Sequence, residues 1–310
     1  MSALTRWSSQ LESFDARGRL FAAGRSLLGA AQLSILLANP ERLLFGATPW
    51  ASGGSLCRGV NSLTLWCAAG SGNAASSIAE LVACTVLVGV ICGLWPRWLC
   101  VPHWYITFSM SARITASNGG DAVAEILAML LIPYCLGDRR VWHWQRPVSG
   151  LEPVWRGISC AAHLVLRCQV VIIYVNAAIS KLSYPAWRDG TALRTVLMAP
   201  GWNVPPGVRG LIEPLLSISW AGTAMTWGAV ATEFGIAAAT LGSPRIRRGG
   251  LGLAVCLHAA IILTLGLFSF GLIMIALVMI AAESGQRSAA PHVPADHGLG
   301  RQISSAWERI

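Results

Sequence analysis

Stretches near 20–38, 77–95, 157–181, 215–241 and 251–281 are apolar over about the 20 residues that a helix needs to cross a hydrocarbon core. Inside a bilayer no water is present to satisfy backbone N–H and C=O groups, so a spanning segment of this kind must be helical. A weaker pair of runs, 103–118 and 122–137, is shorter and carries Arg113, Asp121 and Glu125, which predicts a helical hairpin buried among the other helices. With 54% hydrophobic and only 12% charged residues, the chain has far more apolar material than a soluble core needs. The expectation is an all-α, multi-pass transmembrane helical bundle with five clear spans, seven with the weaker pair. As a single helix, 251–281 would be about 46 Å long against a core of about 30 Å. It must therefore tilt, kink near Gly266 or Gly271, or split.

Three regions follow from this pattern: an N-terminal segment 1–18, a membrane domain 19–282 and a C-terminal tail 283–310. Residues 1–18 are polar and place Leu4, Trp7 and Leu11 on one helical face, which reads as a retained interfacial helix and not as a cleaved signal. The tail contains Pro291 and Pro294 and mixed polar residues, the composition of a flexible segment that does not carry the activity. With the N-terminus in the cytoplasm, the inner segments hold 11 arginines, among them Arg97, Arg139, Arg140, Arg146 and Arg247, against 8 in longer outer segments. Cytoplasmic loops collect arginine and lysine in this way. The sequence pI near 9.5 is thus a matter of topology, and no nucleic-acid recognition pattern accompanies it. This orientation puts 39–76 and 182–214 outside. There Cys57 and Cys67, with nine residues between them, are predicted to form a disulfide. The other seven cysteines lie in or beside apolar runs and read as small buried hydrophobes.

The chain has 22 arginines and one lysine, Lys181, at the end of the apolar run 157–181. Arginine stays charged at any accessible pH, whereas a lysine amine in a poorly hydrated pocket can lose its proton and act as a base or nucleophile. At about 100° per residue, His163, Arg167, Tyr174 and Lys181 fall within about 40° of one another, a polar stripe along one helix. Ionisable groups inside a membrane face a cavity or each other, so these four are the leading candidates for chemistry. Asp121, Glu233 and His258 are second-rank candidates. Glu80, Glu125 and Glu233 are the possible partners of Arg167, and Glu233 and His258 could meet across the short Ser243 to Gly250 turn. Gln169, Asn176 and Ser180 form a second polar band, which implies a helix surrounded by protein at the centre of the bundle. After Lys181, Tyr184-Pro-Ala-Trp187-Arg-Asp-Gly190 and Gly201-Trp-Asn-Val-Pro-Pro206 could roof an outward-opening pocket with Lys181 at its floor.

Two groups of residues resemble known membrane proteins. The run Tyr174-Val-Asn-Ala-Ala-Ile-Ser-Lys181-Leu182, followed by Trp187-Arg-Asp-Gly190, resembles the signature of the HTTM membrane domain, found in the vitamin K-dependent gamma-carboxylase. Over roughly 19–282 the chain is similar to the sporulation-delaying protein B (SdpB) family. This likeness rests on Arg19-Leu-Phe-Ala-Ala-Gly-Arg25, Cys57 and Cys67, Asn118-Gly-Gly-Asp121, Leu131-Ile-Pro133-Tyr-Cys-Leu-Gly-Asp138-Arg-Arg-Val-Trp142-His143-Trp144, His258 and Leu267-Phe-Ser-Phe270. It implies a bacterial plasma-membrane protein that acts with a small partner of the SdpA type in maturing and exporting a secreted antimicrobial peptide with an internal disulfide, a form of bacteriocin biosynthesis. The carboxylase likeness implies a neutral lysine amine, at the position of Lys181, acting as a base toward a reduced membrane quinone. The six-residue step from Lys181 to Trp187 and the lack of a large extramembrane domain argue against glutamate carboxylation itself.

Two other readings stay open. One is a quinone-dependent carboxylase-like enzyme or oxidoreductase; the other is a non-enzymatic toxin-binding chaperone, channel or immunity protein. Paired halves with matching interrupted helices, expected of a secondary transporter, are not evident. Neither His-Glu-x-x-His nor Gly-x-Ser-x-Gly occurs, a phosphate-binding glycine loop is missing, and the six histidines lack metal-ligand spacing. Metal-dependent or serine hydrolysis and nucleotide use are therefore not expected.

Overall fold

The computed structural model describes residues 12–39, 57–70, 73–114, 118–199 and 204–285. Among the described residues the elements are α1 (Arg19–Ala38), a 3-10 turn (Gly59–Leu63), α2 (Leu65–Ala68), α3 (Asn73–Cys92), α4 (Pro96–Arg113), α5 (Gly119–Leu136), α6 (Pro153–Leu182), α7 (Pro185–Arg188), α8 (Ala192–Met198), α9 (Pro206–Ser217), α10 (Ser219–Thr240), α11 (Pro244–Leu265) and α12 (Phe268–Ala281). No strand occurs among the described residues; an isolated bridge joins Leu94 and Trp142. Of the interfacial helix expected over 1–18, residues 1–11 lie outside the described residues, while Phe14 to Arg17 are buried and not helical. Of the flexible tail expected over 283–310, residues 286–310 lie outside them, while Glu283 and Gly285 are hydrogen-bonded to the start of the chain's first described segment. Gly201, Trp202 and Asn203 of the expected roof also lie outside the described residues.

Five helices, α1, α3, α5, α6 and α11, are long and apolar enough to cross a membrane. This multi-pass membrane bundle differs in detail from the expected spans. Helix α5, from the weaker pair, qualifies in full, while α10, within 215–241, is long but diluted by threonines and Glu233. The run 251–281 divides at Gly266, whose φ of +69° gives α11 the left-handed C-terminal cap that stops helices. The result is a tight hairpin of α11 and α12 in place of one overlong helix.

Helix α12 lies at the centre. Its sequence, Phe-Ser-Phe-Gly-Leu-Ile-Met-Ile-Ala-Leu-Val-Met-Ile-Ala, is apolar on every face, as a helix packed on all sides must be. It is flanked by α1, α5, α6 and α11. The expectation that 157–181 would be central is thereby corrected. Helix α6 buries one face, through Ser159, His163, Leu166, Val170, Tyr174 and Ala178, and leaves Asn176 and Ser180 exposed. Nor are all seven free cysteines small core residues: Cys100 and Cys135 are buried, but Cys92, Cys168 and Cys256 are exposed on the bundle surface.

The two ends of the bundle differ in chemistry. At the end where α1 begins, Asp138 is fully buried and pairs with Arg140 at 2.7 Å and, more distantly, with Arg17 at 4.0 Å. Arg17 also pairs with Asp15 at 2.7 Å, and Arg140 donates to the carbonyls of His143 and Gln145. Arg25 donates to Nδ1 of His143, whose ring fits against Gly93 so closely that any Cβ there would collide with it. Glu283, just beyond α12, accepts from the backbone N–H of Leu20 and so caps the start of α1, which has no side-chain cap of its own. Asp15 N–H donates to the Gly285 carbonyl beside it. The first and last described segments thus meet at this Asp138 end. At the opposite end, the Cys57–Cys67 disulfide forms as expected, and α2 packs there on the tips of α1, α3 and α4. Inside the bundle, Gln32 bridges α1 to α4 through Thr107 and His103, each at 2.7 Å.

Candidate functional site

The buried face of α6 carries the predicted stripe, but the packing divides it into separate groups. Rising about 1.5 Å per residue, the helix sets His163 near its start and Lys181 near its end, too far apart to share one pocket.

Lys181 sits at the disulfide end of α6, where its long side chain reaches Glu233 of α10, with Nζ 2.6 Å from Oε1. The lysine side chain is 27% exposed and that of Glu233 only 9%, so the pair stands at the edge of the packed interior. Trp187, on the short helix α7 that follows the Lys181 turn, places its ring 5.4 Å from Nζ, within cation–π range. About two turns earlier on α6, the Tyr174 hydroxyl lies 2.8 Å from Nε2 of His258 on α11. The His258 ring also meets Phe270 of α12 edge-on. The two pairs are neighbours, since Tyr174 lies within electrostatic reach of Glu233, and His258 of Lys181. Two buried atoms in this group, Glu233 Oε2 and His258 Nδ1, have no hydrogen-bond partner among the described residues. A buried polar atom without a partner costs roughly 1–3 kcal/mol, so each is a place where a further hydrogen-bonding group would be favoured.

The remaining candidates sit elsewhere. His163 bonds through Nδ1 to the Tyr134 hydroxyl of α5 at 2.7 Å, with Phe14 and Phe21 packed around that pair, near the Asp138 end. Arg167 takes none of the three carboxylates expected for it. It donates to the carbonyls of Ala281 and Glu283 at 3.3 and 3.4 Å, the negative end of α12. Asp121 completes a capping box, accepting from Asn118 N–H at 2.8 Å while the Asn118 side chain accepts from Gly120 N–H. Glu233 and His258 belong to one group, as their helices allow, but each holds a different partner. Sequence reasoning did not single out Tyr134 as the partner of His163. The only signal for it was a tyrosine in an otherwise aliphatic run, at a position that faces α6. Among the described residues no group of three His, Cys, Asp or Glu could hold a metal ion.

The chain is 30% identical over 289 residues to the sporulation-delaying protein SdpB of Bacillus subtilis (strain 168), an alignment covering 93% of this chain and 88% of that protein. The chain belongs to the SdpB family. A second relative of the same bacterium, the uncharacterized protein YitO, is 27% identical over 278 residues, 89% of this chain and 88% of its own. No family model and no solved structure matches the chain. In this SdpB-family protein the Lys181–Glu233 and Tyr174–His258 pairs unite α6, α10 and α11, whereas the Asp138 motif organises the opposite end.

Proposed function

We propose that this membrane protein takes part, with a small partner protein of the SdpA type, in maturing and exporting a secreted peptide toxin of the sporulation-delaying kind. We place the chemistry at the outer face, with Lys181 as the base. Membership of the family supports the process. The observation that carries the site is the Lys181–Glu233 pair at 2.6 Å. In poorly hydrated surroundings the ammonium can pass its proton to the carboxylate, leaving an uncharged amine facing an uncharged acid. The amine then accepts a proton from substrate and becomes an ammonium again, while Glu233 gives the proton it holds to the product or to water, which restores the starting pair. Trp187 screens one side of the amine, and Tyr174 with His258 supplies hydrogen-bonding groups deeper in the bundle.

Deleting the gene and assaying mature peptide in the medium tests the process, with precursor accumulating in the cells as the expected result. Peptide output that stays unchanged rejects it. Lys181→Arg tests the base, because arginine keeps the charge but does not give up its proton. General-base catalysis is worth about 100- to 10,000-fold, so maturation in that variant should fall by about 100-fold or more. Full activity in Lys181→Arg eliminates the base role and leaves a toxin-binding chaperone, channel or immunity function.

A second reading is supported by Glu233 Oε2 and His258 Nδ1, two buried atoms awaiting partners. A reduced membrane quinone carries ring hydroxyls that can donate to the Glu233 carboxylate or accept from an Nδ1–H of His258, and when bound it would supply redox chemistry beside the amine. Extraction of the purified protein with organic solvent should then release a lipid-soluble chromophore in stoichiometric amount, and an extract without one removes this reading.

A further inference from the structure

The Cys57–Cys67 disulfide has an asymmetric setting. Cys57 is exposed, while Cys67 is half-buried on α2. Arg113, at the end of α4, directs Nη1 at Cys67 Sγ from 3.1 Å and stands 3.6 Å from Cys57 Sγ. In thiol–disulfide exchange a thiolate attacks one sulfur and expels the other as a thiolate, so the rate depends on access to the first and on the stability of the second. A neighbouring guanidinium stabilises a thiolate. Here the accessible sulfur is the one farther from the cation, and the sulfur that would leave is the one beside it. A clamp serving only to fix the loop gains nothing from that order.

We propose that Cys57–Cys67 is an exchange-active disulfide that accepts two electrons from a cysteine-containing peptide, with Cys57 attacked first and Arg113 stabilising the departing Cys67. A peptide thiol loses its proton, and its sulfur bonds to Cys57 Sγ as the Cys57–Cys67 bond breaks. Cys67 leaves as a thiolate beside Arg113 and takes up a proton in place of the one released. A second peptide cysteine, likewise deprotonated, then attacks the peptide sulfur of the mixed disulfide and expels Cys57, which is protonated in turn. The peptide ends with a disulfide and the protein with two thiols. A further round needs an oxidising partner that itself carries a disulfide, of the thiol–disulfide oxidoreductase class. The choice of a peptide as reductant rests on the proposed function, but the reactivity of the disulfide does not.

The test uses the purified full-length protein. Reduction by glutathione is followed by alkylating the freed thiols and locating them by mass spectrometry. Replacing Arg113 by leucine should slow reduction of Cys57–Cys67 by about tenfold, the effect of a less stable leaving thiolate, and Arg113→Lys should restore most of the rate. Incubation with a synthetic peptide bearing two reduced cysteines should yield one peptide disulfide per pair of thiols appearing at Cys57 and Cys67, with none formed by the Cys57→Ser variant. Equal reduction rates in wild type and Arg113→Leu, with only thermal stability lowered, would show a purely structural arginine and overturn the proposal. So would peptide thiols that persist beside an intact disulfide. Lys181→Arg separates the two readings: it should abolish maturation yet leave the glutathione rate unchanged.

Discussion

Lys181 has two stabilising neighbours, the buried carboxylate of Glu233 and the indole face of the half-buried Trp187. Removing one member of a buried pair leaves the other charge uncompensated at about 3–5 kcal/mol, whereas replacing both by apolar groups is often neutral. Glu233→Leu should therefore lower the thermal unfolding midpoint in detergent clearly, and adding Lys181→Met should recover most of the loss without recovering peptide maturation. If the double variant is no more stable than the single one, the pair is not the unit that matters there. His143, in the loop after α5, offers a different test. Burial, with Arg25 and Arg140 beside it, pushes its imidazole from 6.5 down to about 3. The folded protein thus refuses a proton that the unfolded chain accepts, and stability is lost as pH falls from about 6.5 towards about 3. A pH series of unfolding midpoints should show a shallower acid slope in His143→Gln than in wild type, and identical slopes would remove His143 from the account.

Elements in this protein are set by their ends as much as by their apolar faces. Gly266 turns α11 into α12 with φ +69°, a conformation that costs an ordinary L-residue about 1–2 kcal/mol. Gly266→Ala should lower stability by that order and Gly266→Asn by less, as read by thermal unfolding in detergent. At the other hairpin, Asn118→Ala should cost about 1 kcal/mol by removing a helix cap. Asp121→Ala should cost a similar amount, because both residues belong to one capping box. Apolar runs made most of the helices legible beforehand, since hydropathy reports directly on what lipid tolerates. The split at Gly266 and the lateral order of helices were not legible, for a uniformly apolar run does not say where it turns or which neighbour it meets. The stripe on α6 was readable as a buried face from its spacing alone. Its division into a Tyr134–His163 pair, an Arg167 cap and the Lys181 group depended on which of α5, α10, α11 and α12 lay opposite, and no period within one helix encodes that.

At the scale of the whole molecule, sidedness decides whether the chemistry proposed for Lys181 and Cys57–Cys67 can act on a secreted peptide. Arg17, Arg97, Arg139, Arg140, Arg146, Arg156, Arg245, Arg247 and Arg248 all belong to the start of α1, the α3–α4 turn, the α5–α6 loop or the α10–α11 turn, at the Asp138 end. Arginine accumulates on the cytoplasmic side. The disulfide lies at the opposite end, and disulfides persist in oxidising compartments outside the cytoplasm. The two signals are independent, and they agree. Because Glu283 caps α1, the chain also leaves the membrane on the arginine-rich side. A green fluorescent protein fused at the C-terminus, which fluoresces only when folded in the cytoplasm, should therefore be bright. An epitope inserted after Gly70 should be reached by antibody in intact spheroplasts. Both halves of the result are required, because a dark fusion together with a protected epitope would invert the bundle and place Lys181 and the disulfide on the cytoplasmic side, away from any exported substrate.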